Sequence, residues 1–318
     1  MHNRLRAIIQ EANLDSSEYQ WNAPLQDHTW FKIGGSADLF IQTPSLEKVH
    51  AIIRGAKQYA IPIFFLGDGS NLVISDDGVE GIVLDTKPIR ENPPIQIISY
   101  HEDVYQVAVS AGVLMEDLIL FSIEHQLEGL LHFYGLPGTL GGALYMNARC
   151  YDGEISSHFL QATIIKNGDI HTHPYKASEW AYKISPFQKN GILIVNALLT
   201  IKRSQLSSDA LLQRAQSYKH DRETKGHFRY PCAGSTFKNN RTFGMPSGQI
   251  IDQCGLKGLQ YGGASISDFH ANIVINHNHA SASDVHQLVQ TIQTEVYRQT
   301  SFQLEPEILF IGRGYPQI

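Results

Sequence analysis

Cysteine is scarce in this chain. Its 318 residues include only Cys150, Cys232 and Cys254, widely spaced and with no C-x-x-C pair. An odd, scattered set argues against a disulfide scaffold or a zinc ribbon and fits a reducing compartment. Positive charge is also limited: 25 Lys and Arg stand against 31 Asp and Glu, a net charge of −6 with histidine neutral. With no basic tract, nucleic acid and anionic membrane surfaces are poor partners. No apolar run approaches the ~18 residues of a membrane span; the longest, Gly191–Ile201, is broken by Asn196. Residues 4–14 interleave charges with Leu5, Ile8, Ile9 and Ala12. That is an amphipathic helix rather than a signal-peptide core, and a cytoplasmic protein is expected. The pairs His171/His173 and His277/His279 lack acidic or cysteine partners at ligand spacing, so no metal site is expected.

What remains is ample for a core. Hydrophobic residues make up 42% and charged residues 18% of the chain, which excludes general disorder. The length suggests two or three domains at ~150 residues each. Asp38–Gln42 reads as a strand, and Leu46, Val49, Ile52, Ile53 and Ala56 recur at helical spacing behind the cap candidate Ser45. Pro62–Leu66 is a short, wholly apolar strand, expected to be buried on both faces. The middle third is richer in strands: Gly81–Asp85, Ile95–Tyr100, Val104–Ser110 and Ile192–Lys202. Ala162–Lys166 and Asp169–His173 flank the hairpin turn Asn167-Gly168. The polar stretch Arg203–Asp209 suggests a boundary. Helices follow at Leu211–Arg222 and, behind the cap candidate Ser283, along Val285, Leu288, Val289, Ile292 and Val296. Leu304–Ile311 reads as a closing strand.

Three glycine-rich segments could carry chemistry. In LGDGSNLVI (66–74), which follows a buried strand, small residues would let backbone N–H groups converge on an anion, with Ser70 and Asn71 adding donors. A tight β-turn is the alternative. GLPGTLGGALYMNA (135–148) fits neither the Rossmann nor the P-loop spacing. Its glycines would suit a backbone lying close to a flat or phosphorylated ligand, or merely a loop folded on its own helix. In PCAGSTFKNN (231–240), Ser235 follows Ala233-Gly234, and Phe237 excludes the G-x-S-x-G elbow. Spacing alone favours a structural serine there. Glu305 and Glu307 flank Pro306 in an apolar segment, where an acid costs desolvation energy unless it is used or faces solvent.

In order and context, these segments resemble one family, the UDP-N-acetylenolpyruvoylglucosamine reductases (MurB), in its shorter subtype. The resemblance runs from about residue 22 to 312 through HTWFKIGGSADL (28–39), the first two glycine-rich segments, YKISPF (182–187), YPCAGSTFKN (230–239), residues 250–276 and LEPEI (304–308). It implies an α+β fold: a PCMH/vanillyl-alcohol-oxidase-type FAD-binding unit of two α+β subdomains plus a C-terminal substrate-binding α+β domain. The implied divisions are 1–75 with 306–318, 76–203 (about 32–203 together forming the FAD-binding unit), and 204–305. Non-covalent FAD would rest on Gly67, Asp68, Gly69, Ser70 and Asn71 and along Gly135, Pro137, Gly138, Thr139, Gly141 and Ala143. NADPH would reduce it, and hydride would then pass to C3 of the enolpyruvyl ether of UDP-N-acetylglucosamine.

Charge then develops at C2 and its carboxylate, and C2 must be protonated. By resemblance Ser235 is the proton donor and Glu307 the catalytic acid. Burial of a carboxyl favours the neutral form that the latter role needs. Lys183 stands where the family has arginine beside Tyr182, and a point charge for a planar fork implies weaker transition-state stabilisation. Leu309 stands where the family usually has another arginine. Tyr182, Lys238 and Asn239 would contact substrate, and a monomer is expected. Two other readings stay open: a flavin-dependent oxidase of the same superfamily, and a flavin binder with impaired turnover. Against the oxidase, Gly67–Asn71 offers no histidine or cysteine for a covalent flavin link.

Overall fold

The computed structural model describes residues 1–189 and 191–316. A four-stranded sheet runs Tyr19–Pro24, Ser36–Gln42, Val79–Asp85, Ile63–Leu66. The first pairing is antiparallel and the other two are parallel. Helix Leu46–Gln58 starts at Ser45, whose Oγ accepts the Lys48 N–H, and it buries the expected stripe Val49, Ile52, Ile53 and Ala56. Helix His2–Glu11 lies against it through Leu5 and Ile8. The approach is close enough that a Cβ on Gly55 would stand 2.9 Å from Ile8.

One expectation changes here. Ile63–Leu66 is an edge strand, and Ile63, Phe64 and Phe65 are only partly buried because they help wall a cavity. An apolar run has the same pattern whether it faces a packed core or a ligand cavity.

The middle of the chain forms an antiparallel sheet in the order Asp169–Pro174, Phe159–Lys166, Ile192–Arg203, Val104–Ser110, Ile95–His101, with Leu127–Glu128 beside Ile192–Arg203. Asn167 and Gly168 both take positive φ, 57° and 89°, as a two-residue hairpin turn requires. Two boundaries move. Val79–Asp85 belongs to the first sheet although it follows residue 75. Helix Ser208–Thr224, which follows residue 204, buries Leu211 and Ala215 in the core of the middle sheet. A polar stretch marks where the chain turns; the apolar face of the next helix decides where it packs.

The third core gathers Ile250, Ile251, Val285, Leu288, Val289, Ile292 and Val296 under a small sheet, Gln260–Tyr261, Ala264–Ile266 and Val274–Asn276. Helix Ala282–Thr300 is capped by Ser281, not Ser283: Ser281 and Asp284 form a reciprocal capping box. Ser283 instead lies in the first turn, where its N–H and that of Ala282 donate to Asp76 of the first region. Of the expected closing strand only Leu309–Ile311 is regular, parallel to Leu72–Ile74. Pro306 has no N–H for a ladder, and Leu304–Glu307 runs irregularly beside Phe237. Among the described residues, no helix is long and apolar enough to cross a membrane.

Candidate active site

A cavity of about 360 Å³ opens where the three cores meet. Its floor is main chain from two glycine-rich loops. The first follows strand Ile63–Leu66; the second leads into helix Leu140–Tyr145, where the Thr139 Oγ accepts the Gly142 N–H at 3.1 Å. The loops nearly touch. A Cβ on Gly67 would stand 2.9 Å from the Thr139 Oγ, and one on Gly138 would stand 3.2 Å from the Ser70 Oγ. Gly69 is held tighter still: at φ +66°, a Cβ would fall 2.2 Å from the His28 carbonyl oxygen. Glycine at these positions is what lets the two loops, and the first loop and His28, approach so closely.

All the expected loop residues line it: Gly67, Asp68, Gly69, Ser70, Asn71, Gly135, Pro137, Gly138, Thr139, Gly141 and Ala143. The Asp68 carboxylate is engaged from the side by the Trp30 indole N–H at 2.6 Å and by Lys87 at 3.8 Å. The Asn71 amide donates to the Glu307 carbonyl at 3.1 Å, tying this loop to the C-terminal segment. Met115, Leu136, Ile192 and Ile194 add apolar wall. A backbone-lined floor with apolar sides suits a flat, phosphorylated cofactor such as FAD.

The cavity is also lined by Ser235, Glu307 and Lys183. Residues 236–238 run antiparallel to 305–307: the Glu307 N–H donates to the Thr236 carbonyl at 2.8 Å and the Lys238 N–H to the Glu305 carbonyl at 2.9 Å. Asn272, almost fully buried, clamps Phe237 from the other side, accepting its N–H at 3.0 Å and donating to its carbonyl at 2.8 Å. Ser235 and Glu307, distant in sequence, therefore share one cavity wall. Lys183 reaches them from a third element, and its Nζ meets the Glu307 Oε1 at 2.5 Å. Both side chains are about one-tenth exposed, 10% and 11%, so this pair is close to dry. Leu309 lines the wall as an apolar residue.

The three expected substrate contacts lie differently. The Lys238 ammonium is turned to Glu305 at 2.5 Å, and the Asn239 amide oxygen accepts the Ser247 N–H at 2.8 Å. Neither belongs to the cavity wall. Both contacts lie next to the Ser235 segment. Tyr182 also sits outside the wall; its hydroxyl accepts the Asn239 N–H at 3.3 Å, and its ring lies beneath Lys183.

Sequence reasoning passed over several wall residues. Arg149 follows the second loop directly, and Arg222, His227, Cys150 and Cys232 also face the cavity. Arg222 spends its donors inward, on the carbonyls of Tyr134, Tyr218 and His132 and on the Cys150 Sγ. Burial pushes the Cys150 thiol up to about 11 despite Arg222 and Lys183 nearby, and pushes Cys232 up as well. Both stay protonated at neutral pH and are not nucleophiles. The run Ala148-Arg149-Cys150 at the end of the second motif was the available clue to Arg149.

Comparisons with known proteins agree with this arrangement. Residues 226–311 match the C-terminal domain model of UDP-N-acetylenolpyruvoylglucosamine reductase, and residues 37–172 match an FAD-binding domain. The UDP-N-acetylenolpyruvoylglucosamine reductase of Treponema denticola is 36% identical over 98% of this chain and 99% of its own. That of Borrelia garinii is 37% identical over 91% of this chain and 92% of its own. The crystal structure of the Thermus caldophilus enzyme superposes with a TM-score of 0.72 at 28% identity, covering 92% of this chain and 98% of that one.

Proposed function

The chain belongs to the UDP-N-acetylenolpyruvoylglucosamine reductase family, and from that premise we propose how its own residues perform the reduction. It is an FAD-dependent oxidoreductase of peptidoglycan precursor synthesis, converting the enolpyruvyl ether of UDP-N-acetylglucosamine to UDP-N-acetylmuramate, with NADPH as reductant. FAD, when bound, would supply the hydride chemistry at C3 of the enolpyruvyl group. The loops Gly67–Asn71 and Gly135–Ala143 hold the cofactor through backbone N–H groups, and Ser235 gives its proton to C2. Lys183 offsets the negative charge that grows on the substrate carboxylate, and Glu307 orients Lys183 and faces the same carbon. Tyr182 supports both cations through its ring face. The substrate domain is read as roughly 225–305, with residues 1–85 and 309–316 in the first cofactor-binding part and 86–224 in the second. The reading carries with it a cytoplasmic monomer.

The observation that supports the mechanism is that Ser235, Glu307 and Lys183 line one cavity together with the glycine-rich loops, with the Lys183 Nζ 2.5 Å from the Glu307 Oε1. An anaerobic titration tests it. NADPH should bleach the yellow flavoprotein, and UDP-N-acetylglucosamine enolpyruvate should restore the colour without oxygen. Reoxidation by oxygen alone, with no response to the enolpyruvyl ether, would favour a sugar or alcohol oxidase. No bleaching would leave a flavin binder.

A further inference from the structure

We infer that Arg149 is the guanidinium that receives the substrate carboxylate, beside Lys183. This deepens the reductase reading and rests on it. Arg149 lines the cavity, with its Cζ 5.8 Å from the centre of the Tyr182 ring. The Lys183 Nζ stands 5.9 Å from the same ring centre. Two cations thus share one aromatic platform, yet their commitments differ. Lys183 is ion-paired to Glu307 at 2.5 Å. Arg149 forms no ion pair with any described residue. The acid nearest it in the backbone pairing is Glu154, directly across a two-residue antiparallel ladder, but the Glu154 Oε1 takes the Asn147 amide at 3.0 Å instead.

A cation that faces a cavity without an anionic partner favours an anion that enters it. Arginine presents a flat fork of donors that matches a carboxylate in two parallel hydrogen bonds, which an ammonium cannot do. The enolpyruvyl ether brings a carboxylate next to the carbon that must receive the proton, and Glu307 and Ser235 mark where that carbon lies. The fork missing at position 183 is therefore supplied by the residue directly after the second glycine-rich segment, six residues beyond Ala143. Arg222, the other guanidinium of this wall, is turned away into carbonyl oxygens.

Calorimetric binding of two nucleotide sugars to the FAD-loaded protein tests the assignment. UDP-N-acetylmuramate carries the carboxylate; UDP-N-acetylglucosamine shares the diphosphate and lacks it. Arg149→Ala should weaken the first by roughly ten- to a hundredfold, the range of charge-assisted hydrogen bonds, and leave the second within about twofold of wild type. Arg149→Lys should fall between, with an unchanged flavin spectrum reporting an intact cavity. Equal loss for both sugars would place the guanidinium on the diphosphate and overturn the proposal, as would no loss for either. Failure of the wild type to bind either sugar would overturn the reductase reading and this inference with it.

Discussion

The backbone N–H of Glu307 donates to the carbonyl of Thr236 at 2.8 Å. That bond, with its neighbour between Lys238 and Glu305, sets the acid beside the serine segment through main chain alone. The two segments are thus joined without any help from the Ser235 or Glu307 side chains, and Asn272 holds Phe237 between them from behind. Site geometry held by backbone and buried amides is what preorganised catalysis requires.

Ser235→Ala should separate the two half-reactions. Flavin bleaching by NADPH is expected at near wild-type rate, while reoxidation by the enolpyruvyl ether slows by roughly 10²–10⁴, the usual worth of a positioned proton donor. Stopped-flow absorbance reads both steps. Equal loss in both would contradict the assigned role.

Lys183→Arg is expected to keep most activity, since it retains the positive charge beside Glu307. Lys183→Met should lose at least a hundredfold in turnover, an order of magnitude set by removing one charge-stabilising donor. It should also lower the melting temperature, because it leaves the nearly dry Glu307 carboxylate without a partner. Adding Glu307→Gln to Lys183→Met should restore stability but not turnover. Thermal melts and steady-state rates of the wild type, Lys183→Met, Glu307→Gln and the double variant form the cycle, and an unchanged melting temperature in Lys183→Met would rule out the pair's structural role.

Asn272→Leu removes both hydrogen bonds to Phe237 and strands two buried backbone groups. A loss of about 2–4 kcal/mol is expected from two unsatisfied groups, read by urea unfolding of the flavin-loaded protein. Turnover should fall more than flavin content, because the segment it anchors carries Ser235. A variant that unfolds like wild type would show the clamp to be idle.

Burial holds His132 and His227 at about 4, below their ordinary 6.5, and lowers His158 and His270 for the same reason. Between those limits the unfolded chain binds protons that the folded one refuses. The stability they provide is therefore complete above pH 6.5 and drains away as pH falls toward 4. Melting temperature should drop steeply through that window, and His132→Gln with His227→Gln should flatten the slope. Parallel curves would refute it.

Much of this was legible in the chain. The glycine-rich segments were legible as tight loops because glycine is needed where backbone packs closely or takes positive φ, and Gly67, Gly69 and Gly138 show that need as near-collisions of absent Cβ atoms with neighbouring chain. The helix at Leu46–Gln58 and the Asn167-Gly168 hairpin followed from periodicity and turn chemistry, which act over a few residues. The caps and edges were harder. Ser281 and Ser283 are equivalent candidates until Asp284 chooses one, and PIFFL has one pattern for a core strand and for a cavity wall.

What the chain alone determined is local: which segments bend, which are capped, which must expose their backbone. The tertiary structure decided the pairings between distant segments: Glu307 with Lys183, Lys238 with Glu305, and Arg149 beside the Tyr182 ring. Such choices depend on which charges the fold brings close, and Coulomb energy is set by distance in space, to which separation along the sequence is no guide.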